Sequence, residues 1–188
     1  MEGYKEEIIQ AAKEVYEKGL VIGRVGNISC RVDEGRILIS STGVCLGKLS
    51  ERDLVVLDSE GEKLEGEEEP STEKWVHIEI YKARPDVNAI VHTHSPYASA
   101  LAYLKKSLRP VNPEGEYILG RVPVVPPFVY GTRELAEAVR DHLRLGKAAL
   151  LEMHGVVTVG EDLNEAVNIA ELVEEVAKIN YLIEMLEK

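Results

Sequence analysis

Apolar residues in the first third of the chain recur at two spacings, which predict one helix followed by short strands. Residues 4–20 carry an apolar side chain every three or four positions, the period of one helical face, and Gly19 lies near the predicted end. Short runs at residues 27–32 and 36–42 predict two strands joined by a turn, and residues 54–58 predict a third strand.

The rest of the chain mixes strand-like and helix-like stretches. Strand patterns occur at residues 87–94, 122–126 and 148–160, and helix patterns occur at residues 71–83, 95–104, 132–143 and 163–188. Ser95 and Pro96 are a favoured N-cap and a favoured first helical residue. Because these elements do not alternate as regular βαβ units, they favour an α/β or α+β fold with helices covering a largely antiparallel or mixed sheet.

Composition and charge narrow the class of function. The 188 residues are 45% hydrophobic and 29% charged, which is typical of a soluble globular protein, and we expect residues 1–188 to form a single domain. No apolar run approaches the roughly 20 residues of a membrane helix. The net charge of −11 disfavours nucleic acid and anionic membranes as partners, but permits a small anionic substrate. Cys30 and Cys45 form no disulfide framework, which predicts a cytoplasmic location.

His92 and His94 close a predicted strand and are candidate metal ligands. Residues i and i+2 of a strand point to the same face, so both imidazoles can reach one point. A catalytic zinc site typically uses three protein ligands. His77 lies inside a predicted helix and His142 lies in a polar stretch, whereas His154 follows an apolar run at a predicted strand end. The spacing alone leaves open whether these are zinc ligands or hydrogen-bonded histidines at the margin of a sheet.

Three further stretches, "GRVGNIS", "SSTGVCLG" and "EEPSTEKW", are candidate anion-binding segments. A helix start offers free backbone N–H groups to an anion, and hydroxyl and amide groups can complete such a site. Each stretch is equally typical of an ordinary turn or cap. Glu73 lies in the first turn of the helix predicted from Ser71, where a carboxylate either stabilises the helix dipole or acts as a base.

In their order along the chain, the motifs "GNIS", "STG", "PSTE", "HTHSPYA", "VYGTRELAEAV" and "EMHGVVTVG" resemble the class II sugar-phosphate aldolase family. This family is typified by L-fuculose-1-phosphate aldolase, and the resemblance covers roughly residues 5 to 180. It implies a three-layer α/β/α fold, with a central, largely antiparallel or mixed sheet flanked by helices. It also implies a homotetramer with active sites at the subunit interfaces.

The resemblance further implies one zinc ion per subunit, held by His92, His94 and His154, with Glu73 as the catalytic acid/base and a fourth ligand at rest. The residues implied to hold the substrate phosphate are Gly26, Asn27, Thr42, Gly43, Ser71 and Thr72. Tyr117 corresponds to a tyrosine that protonates the aldehyde oxygen from a neighbouring subunit, and Tyr130 corresponds to an aromatic position at the aldehyde end.

The implied reaction is reversible aldol cleavage of a ketose 1-phosphate, such as L-fuculose 1-phosphate, through a metal-stabilised enediolate. Its products are dihydroxyacetone phosphate and a short aldehyde such as L-lactaldehyde. The sequence ends at Lys188, whereas longer aldolases have a C-terminal tail that supplies aromatic groups, so the resemblance does not identify the aldehyde.

Relatives in this family suggest three alternative functions. Pentulose-phosphate epimerases carry an aspartate where Arg121 follows Gly120, so this activity is disfavoured. Methylthioribulose-1-phosphate dehydratase needs a carboxylate near the C2 proton of the substrate, which Glu114 or Glu116 could supply. Adducin-like interaction domains lack the metal ligands, and the retained histidines disfavour this non-catalytic alternative.

Overall fold

A single mixed β-sheet organises the computed structural model, which describes residues 1–187. Within this range the sheet has eight strands: β1 (Asn27–Arg31), β2 (Arg36–Ser40), β3 (Leu54–Asp58), β4 (Lys63–Glu65), β5 (Ala89–Thr93), β6 (Val124–Val125), β7 (Ala148–Leu151) and β8 (Gly155–Gly160). Their order is β4-β3-β2-β1-β5-β8-β7-β6, and neighbours are antiparallel except for the parallel pair β6–β7. The predicted largely antiparallel, mixed sheet is confirmed.

Helices cover both faces of the sheet. They are α1 (Glu2–Glu17), α2 (Lys74–Ala83), α3 (Pro96–Tyr103), α4 (Pro113–Leu119), α5 (Arg133–His142) and α6 (Leu163–Leu186). Helices α1, α3, α4 and α6 pack on one face, and α2 and α5 pack on the other. This arrangement confirms the three-layer α/β/α fold. None of the described helices is long and apolar enough to cross a membrane.

Strand β5 lies in the middle of the sheet and is buried along its whole length. Ala89 and Val91 join the core under α1 and α6, whereas Ile90 joins the core under α2 and α5. Because side chains alternate along a strand, His92 shares the face of Ile90 and points to the α2 side. A central strand covered on both faces is expected to be a continuous apolar run, so His92 is an exception within β5.

Several predicted boundaries were wrong. Helix α2 begins at Lys74 rather than Ser71, which leaves Glu73 in the N-cap position. Residues 148–160 form the two strands β7 and β8 with a turn between them. The pattern predicted for α6 extended to Lys188, which lies outside the described residues.

Two elements were not predicted. Helix α4 begins with Asn112 as N-cap, whose side chain accepts a hydrogen bond from the Gly115 N–H, followed by Pro113. This Asn–Pro pair is a recognisable start signal, but the helix has too few turns to show an apolar period. Strand β4 is exposed along its three residues, so it carries no alternating pattern.

Helix α3 begins at Pro96 as predicted, but the Ser95 side chain does not cap it. Instead the Glu174 carboxylate from α6 accepts hydrogen bonds from the N–H groups of Tyr97 (3.0 Å) and Ala98 (2.9 Å). A carboxylate at a helix N-terminus is favourable because the free N–H groups and the dipole both attract it. The cap therefore depends on a tertiary contact.

Candidate metal centre and catalytic site

Three histidines converge where β5 ends and where β7 turns into β8. One ligand atom from each of His92, His94 and His154 lies within 4.8 Å of the others. The Nε2 atoms of His92 and His94 are 3.1 Å apart. His94 lies one residue beyond β5, where its N–H donates to the Leu20 carbonyl, so strand alternation alone does not place it. The structure thus brings together the three histidines that the sequence singled out.

Two close backbone approaches shape this corner. A side chain at Gly155 would overlap the Thr93 carbonyl oxygen, so only glycine lets β8 begin this close to β5. A Cβ at Gly26, which has φ +83°, would lie 2.7 Å from the His92 carbonyl oxygen. In the turn before Gly155, Met153 has φ +59°. This left-handed residue helps to direct His154 back over the sheet.

The carboxylate of Glu73 faces the histidines. Its Oε2 lies 3.2 Å from His92 Nε2, and its Oε1 lies 3.1 Å from His154 Nε2. Glu73 is buried, with 8% of its surface exposed. His92 Nδ1 lies 2.9 Å from the Val156 carbonyl and donates to it, which leaves the Nε2 lone pair free for a ligand. Three imidazoles and one carboxylate in this arrangement could hold a divalent metal ion.

Charges at this site are coupled. Burial raises the pKa of Glu73, but the positive charge of His92 and the hydrogen bonds from His154 and His92 outweigh it and hold the pKa well below its usual range. Burial lowers the pKa of His92, yet the nearby Glu73 carboxylate outweighs burial and raises it. Burial and the charge of His92 lower the pKa of His94 to about 3. In the metal-free protein, a proton is therefore favoured on His92 over His94.

We expect the affinity for a divalent metal to fall with decreasing pH, starting above the usual imidazole pKa of about 6.5. Metal binding needs neutral His92. Because the pKa of His92 is raised, protons begin to compete with the metal for this imidazole once the pH falls to that raised value. The loss should approach about tenfold per pH unit for each proton displaced. Calorimetric zinc titrations in buffers of different ionisation enthalpy measure both the metal affinity and the number of protons displaced. An affinity that does not change between about pH 8 and pH 5 would contradict this prediction.

Four polar side chains behind Glu73 form a chain of buried contacts. Asn27 Nδ2 donates to Glu73 Oε2 at 3.0 Å, and Asn27 Oδ1 lies 2.5 Å from His77 Nε2. His77 Nδ1 lies 2.6 Å from Ser29 Oγ, which is 2.8 Å from the Tyr81 hydroxyl. The sequence interpretation passed over His77, Ser29 and Tyr81. Their spacing was the available signal. Residues 73, 77 and 81 are four apart, which places them on one helix face, and residues 27 and 29 are two apart, which places them on one strand face.

The predicted phosphate segments are neighbours in the structure. The Thr42 N–H donates to the Glu69 carbonyl (3.0 Å) and the Ser71 N–H donates to the Ser40 carbonyl (3.1 Å), so the two loops lie side by side. Ser71 Oγ accepts from the Glu73 N–H at 3.2 Å. Asn27 links the third segment to this corner through Glu73. Ser71 and Thr72 precede α2 rather than opening it. Phosphate binding by these residues stays a prediction.

The remaining members of the predicted phosphate set differ in exposure. Gly26 packs closely against the His92 backbone, whereas Gly43 has open space around its Cα. Thr72 is exposed. A Cβ at Gly131 would lie 3.0 Å from the Thr72 carbonyl oxygen, so the loop that carries Tyr130 adjoins this corner. Tyr130 is 69% exposed in the single chain.

Tyr117 lies on α4 and is 91% exposed in the single chain. The single chain gives it no described contact with the histidines. Its predicted role from a neighbouring subunit stays a prediction.

Comparison with known proteins supports the resemblance. Residues 6–181 match the family model of the class II aldolase and adducin N-terminal domain. A 3-oxo-tetronate 4-phosphate decarboxylase of Haemophilus influenzae is 38% identical over 185 residues, covering 96% of this chain and 88% of the relative. An L-fuculose phosphate aldolase of Methanococcus maripaludis is 37% identical over 181 residues, covering 96% and 98%. A solved L-fuculose 1-phosphate aldolase superposes with a TM-score of 0.95 at 33% identity, covering 100% of this chain and 89% of that one.

Proposed function

The chain belongs to the class II aldolase and adducin N-terminal domain family, and we propose that it cleaves a ketose 1-phosphate by a reversible aldol reaction. The proposed substrate is L-fuculose 1-phosphate or a similar sugar phosphate, and the products are dihydroxyacetone phosphate and a short aldehyde such as L-lactaldehyde. The observation that carries this proposal is the buried Glu73 carboxylate, 3.2 Å from His92 and 3.1 Å from His154. Similarity to proteins named L-fuculose phosphate aldolase supports it.

We assign one zinc ion per chain to His92, His94 and His154, with Glu73 as a fourth donor at rest. The donor set fits, because zinc favours imidazole nitrogen and carboxylate oxygen in fourfold coordination. When bound, the metal would supply Lewis-acid stabilisation of negative charge on the substrate oxygens. In the metal-free protein, the charge of His92 and the hydrogen bonds from His154 and His92 keep Glu73 ionised.

The remaining steps are assigned to residues of the protein itself. In the direction of synthesis, Glu73 removes a proton from the hydroxymethyl carbon beside the substrate carbonyl. The two loops that carry Thr42 and Ser71 hold the phosphate, together with the segment at Asn27. Tyr117 of a neighbouring subunit donates a proton to the aldehyde oxygen in a proposed homotetramer. Cleavage is the reverse sequence.

A decarboxylase is the second candidate, and similarity to the H. influenzae protein favours it. A 3-oxo-tetronate 4-phosphate is a β-keto acid, and loss of its carboxylate as carbon dioxide leaves an electron pair on the carbon beside the carbonyl. Protonation of that carbon yields dihydroxyacetone phosphate. Both reactions thus place the same negative charge over the same histidines and Glu73. They differ in the leaving fragment, since only the aldol reaction needs a proton donor for an aldehyde oxygen.

Product analysis with the purified protein decides between these reactions. The protein is incubated with dihydroxyacetone phosphate and a panel of short aldehydes, and separately with 3-oxo-tetronate 4-phosphate. We expect a ketose 1-phosphate from the first mixture. Carbon dioxide release without aldol product would replace the aldolase proposal with the decarboxylase. A third incubation, with methylthioribulose 1-phosphate, tests the dehydratase, which water loss without aldehyde release would favour.

The wider setting is proposed on the same basis. Residues 1–188 are proposed to form one catalytic domain, because the family model spans residues 6–181. A cytoplasmic location is proposed from the composition, in which Cys30 and Cys45 suit a reducing compartment. Small phosphorylated sugars and short aldehydes are the proposed partners.

A further inference from the structure

A row of five buried polar side chains runs from the candidate base into the layer between β1 and α2. It passes from Glu73 to Asn27 (3.0 Å), His77 (2.5 Å), Ser29 (2.6 Å) and the hydroxyl of Tyr81 (2.8 Å). Ser29 and His77 are fully buried, and Asn27 and Tyr81 are 4% and 3% exposed. Each contact lies within hydrogen-bond distance, and no surface water is needed to complete the row.

The direction of every bond in the row follows from chemistry. An ionised carboxylate only accepts, so Asn27 must present its N–H₂ group to Glu73 and its oxygen to His77. His77 must then carry its proton on Nε2, which leaves a lone pair on Nδ1 to accept from the Ser29 hydroxyl. The Ser29 oxygen in turn accepts from the Tyr81 hydroxyl. One arrangement of protons satisfies all four contacts.

Burial keeps this arrangement fixed. Burial and the charge of His92 lower the pKa of His77 to about 3, so the ring stays neutral. Burial also raises the pKa of Tyr81 well above its usual value, so its hydroxyl remains a donor. A flipped Asn27 amide would set its oxygen against the Glu73 carboxylate and its N–H₂ group against the His77 N–H. Two buried repulsive contacts therefore oppose the flip.

We propose that His77, held in the Nε2–H tautomer, is a positioning residue that locks the Asn27 amide and thereby aims the Glu73 carboxylate. This inference rests on the proposed role of Glu73 as the base. Removing a proton from carbon requires the carboxylate to stay within reach of one atom, and a locked amide donor limits its rotation. Asn27 thus joins the predicted phosphate segment to the base, and His77 supports Asn27 from behind.

The first test uses the unmodified protein without metal and needs no activity. Nitrogen-15 NMR of the His77 ring distinguishes its two neutral tautomers. We expect a single Nε2–H form and a slowly exchanging side-chain amide at Asn27. An Nδ1–H form, or an even mixture, overturns the proposal. Ser29→Ala removes the donor to Nδ1 but leaves the Glu73–Asn27 pair in place, so the Nε2–H form should persist, whereas its loss overturns the assignment of the tautomer to the Asn27 contact.

The second test compares two substitutions of His77 in the metal-loaded enzyme. His77→Leu removes the donor to Asn27 and should lower kcat by about 10- to 100-fold, with KM and bound metal changed by less than about twofold. His77→Gln offers an amide N–H near the position of Nε2 and should recover most of that loss. His142→Leu, at an exposed site on α5, is the matched control.

The outcomes separate this proposal from the proposed function. A folded His77→Leu variant with kcat within about twofold of the parent overturns the positioning role, as does an equal loss in both His77 variants. If His77→Leu does not fold, the tautomer measurements and His77→Gln decide. A parent protein that turns over no sugar phosphate counts against the proposed function, whereas the NMR result stands independently of turnover.

Discussion

Replacing Glu73 with glutamine is expected to lower kcat by about a thousandfold, within the range that general acid–base groups contribute. The amide has nearly the same shape and can still accept from Asn27, but it cannot take a proton from the substrate carbon. Three histidines remain, so bound metal should stay near one ion per chain. Steady-state kinetics and metal analysis on the same preparation measure both effects.

Glu67→Gln is the matched control for this substitution, because Glu67 lies in the exposed acidic loop before Pro70. It changes the net charge by the same amount and should leave kcat unchanged. A Glu73→Gln variant that keeps its metal and full turnover would refute the role of Glu73 as the base. Equal loss of metal and activity would instead indicate that Glu73 acts chiefly as a ligand.

His154→Ala is expected to abolish stable metal binding, and activity should fall to background with it. Partners that merely orient a metal ligand cost about 10- to 100-fold when removed, so loss of a ligand should weaken binding by more than about 100-fold. His154 suits this test because it lies in the turn between β7 and β8, with 16% of its side chain exposed. Its truncation leaves less of a core cavity than truncation of the fully buried His92 would.

The control for this variant is His142→Ala, which removes an exposed histidine from α5. It should bind metal and turn over like the parent. Thermal unfolding of both metal-free proteins checks that the His154 variant remains folded. Full metal content and activity in His154→Ala would show that the histidine cluster is not the metal site.

The elements with strong periodicity were predicted well because their pattern reflects one buried face. Helices α1, α5 and α6 and strands β1, β2, β3 and β5 appear where the sequence placed them. The weakest predictions were at short or polar elements. The exposed β4 buries no face. The start of α2 shifted because the Ser71 N–H donates to the Ser40 carbonyl, so Ser71 pairs with the neighbouring segment instead of opening the helix.

The candidate site shows the same limit in its chemistry. His92, His94, His154 and Glu73 could be named because their residue types and order resemble one family. Asn27 was assigned to the phosphate, but the structure also shows its amide between Glu73 and His77. His77 was set aside as a helical residue, because nothing local indicates that it contacts Ser29 of the adjacent sheet.

The sequence by itself determined which faces are buried and which residue types are available as donors, because side-chain period is a local property of helices and strands. Only the tertiary structure decided which donors meet. His154 reaches His92 because β8 pairs with β5 and Gly155 permits their close approach. His77 reaches Asn27 because α2 packs on the face of the sheet to which Asn27 of β1 points. Both contacts join residues that lie some 50 to 60 positions apart in the sequence. They depend on strand order and layer packing, which no local pattern encodes.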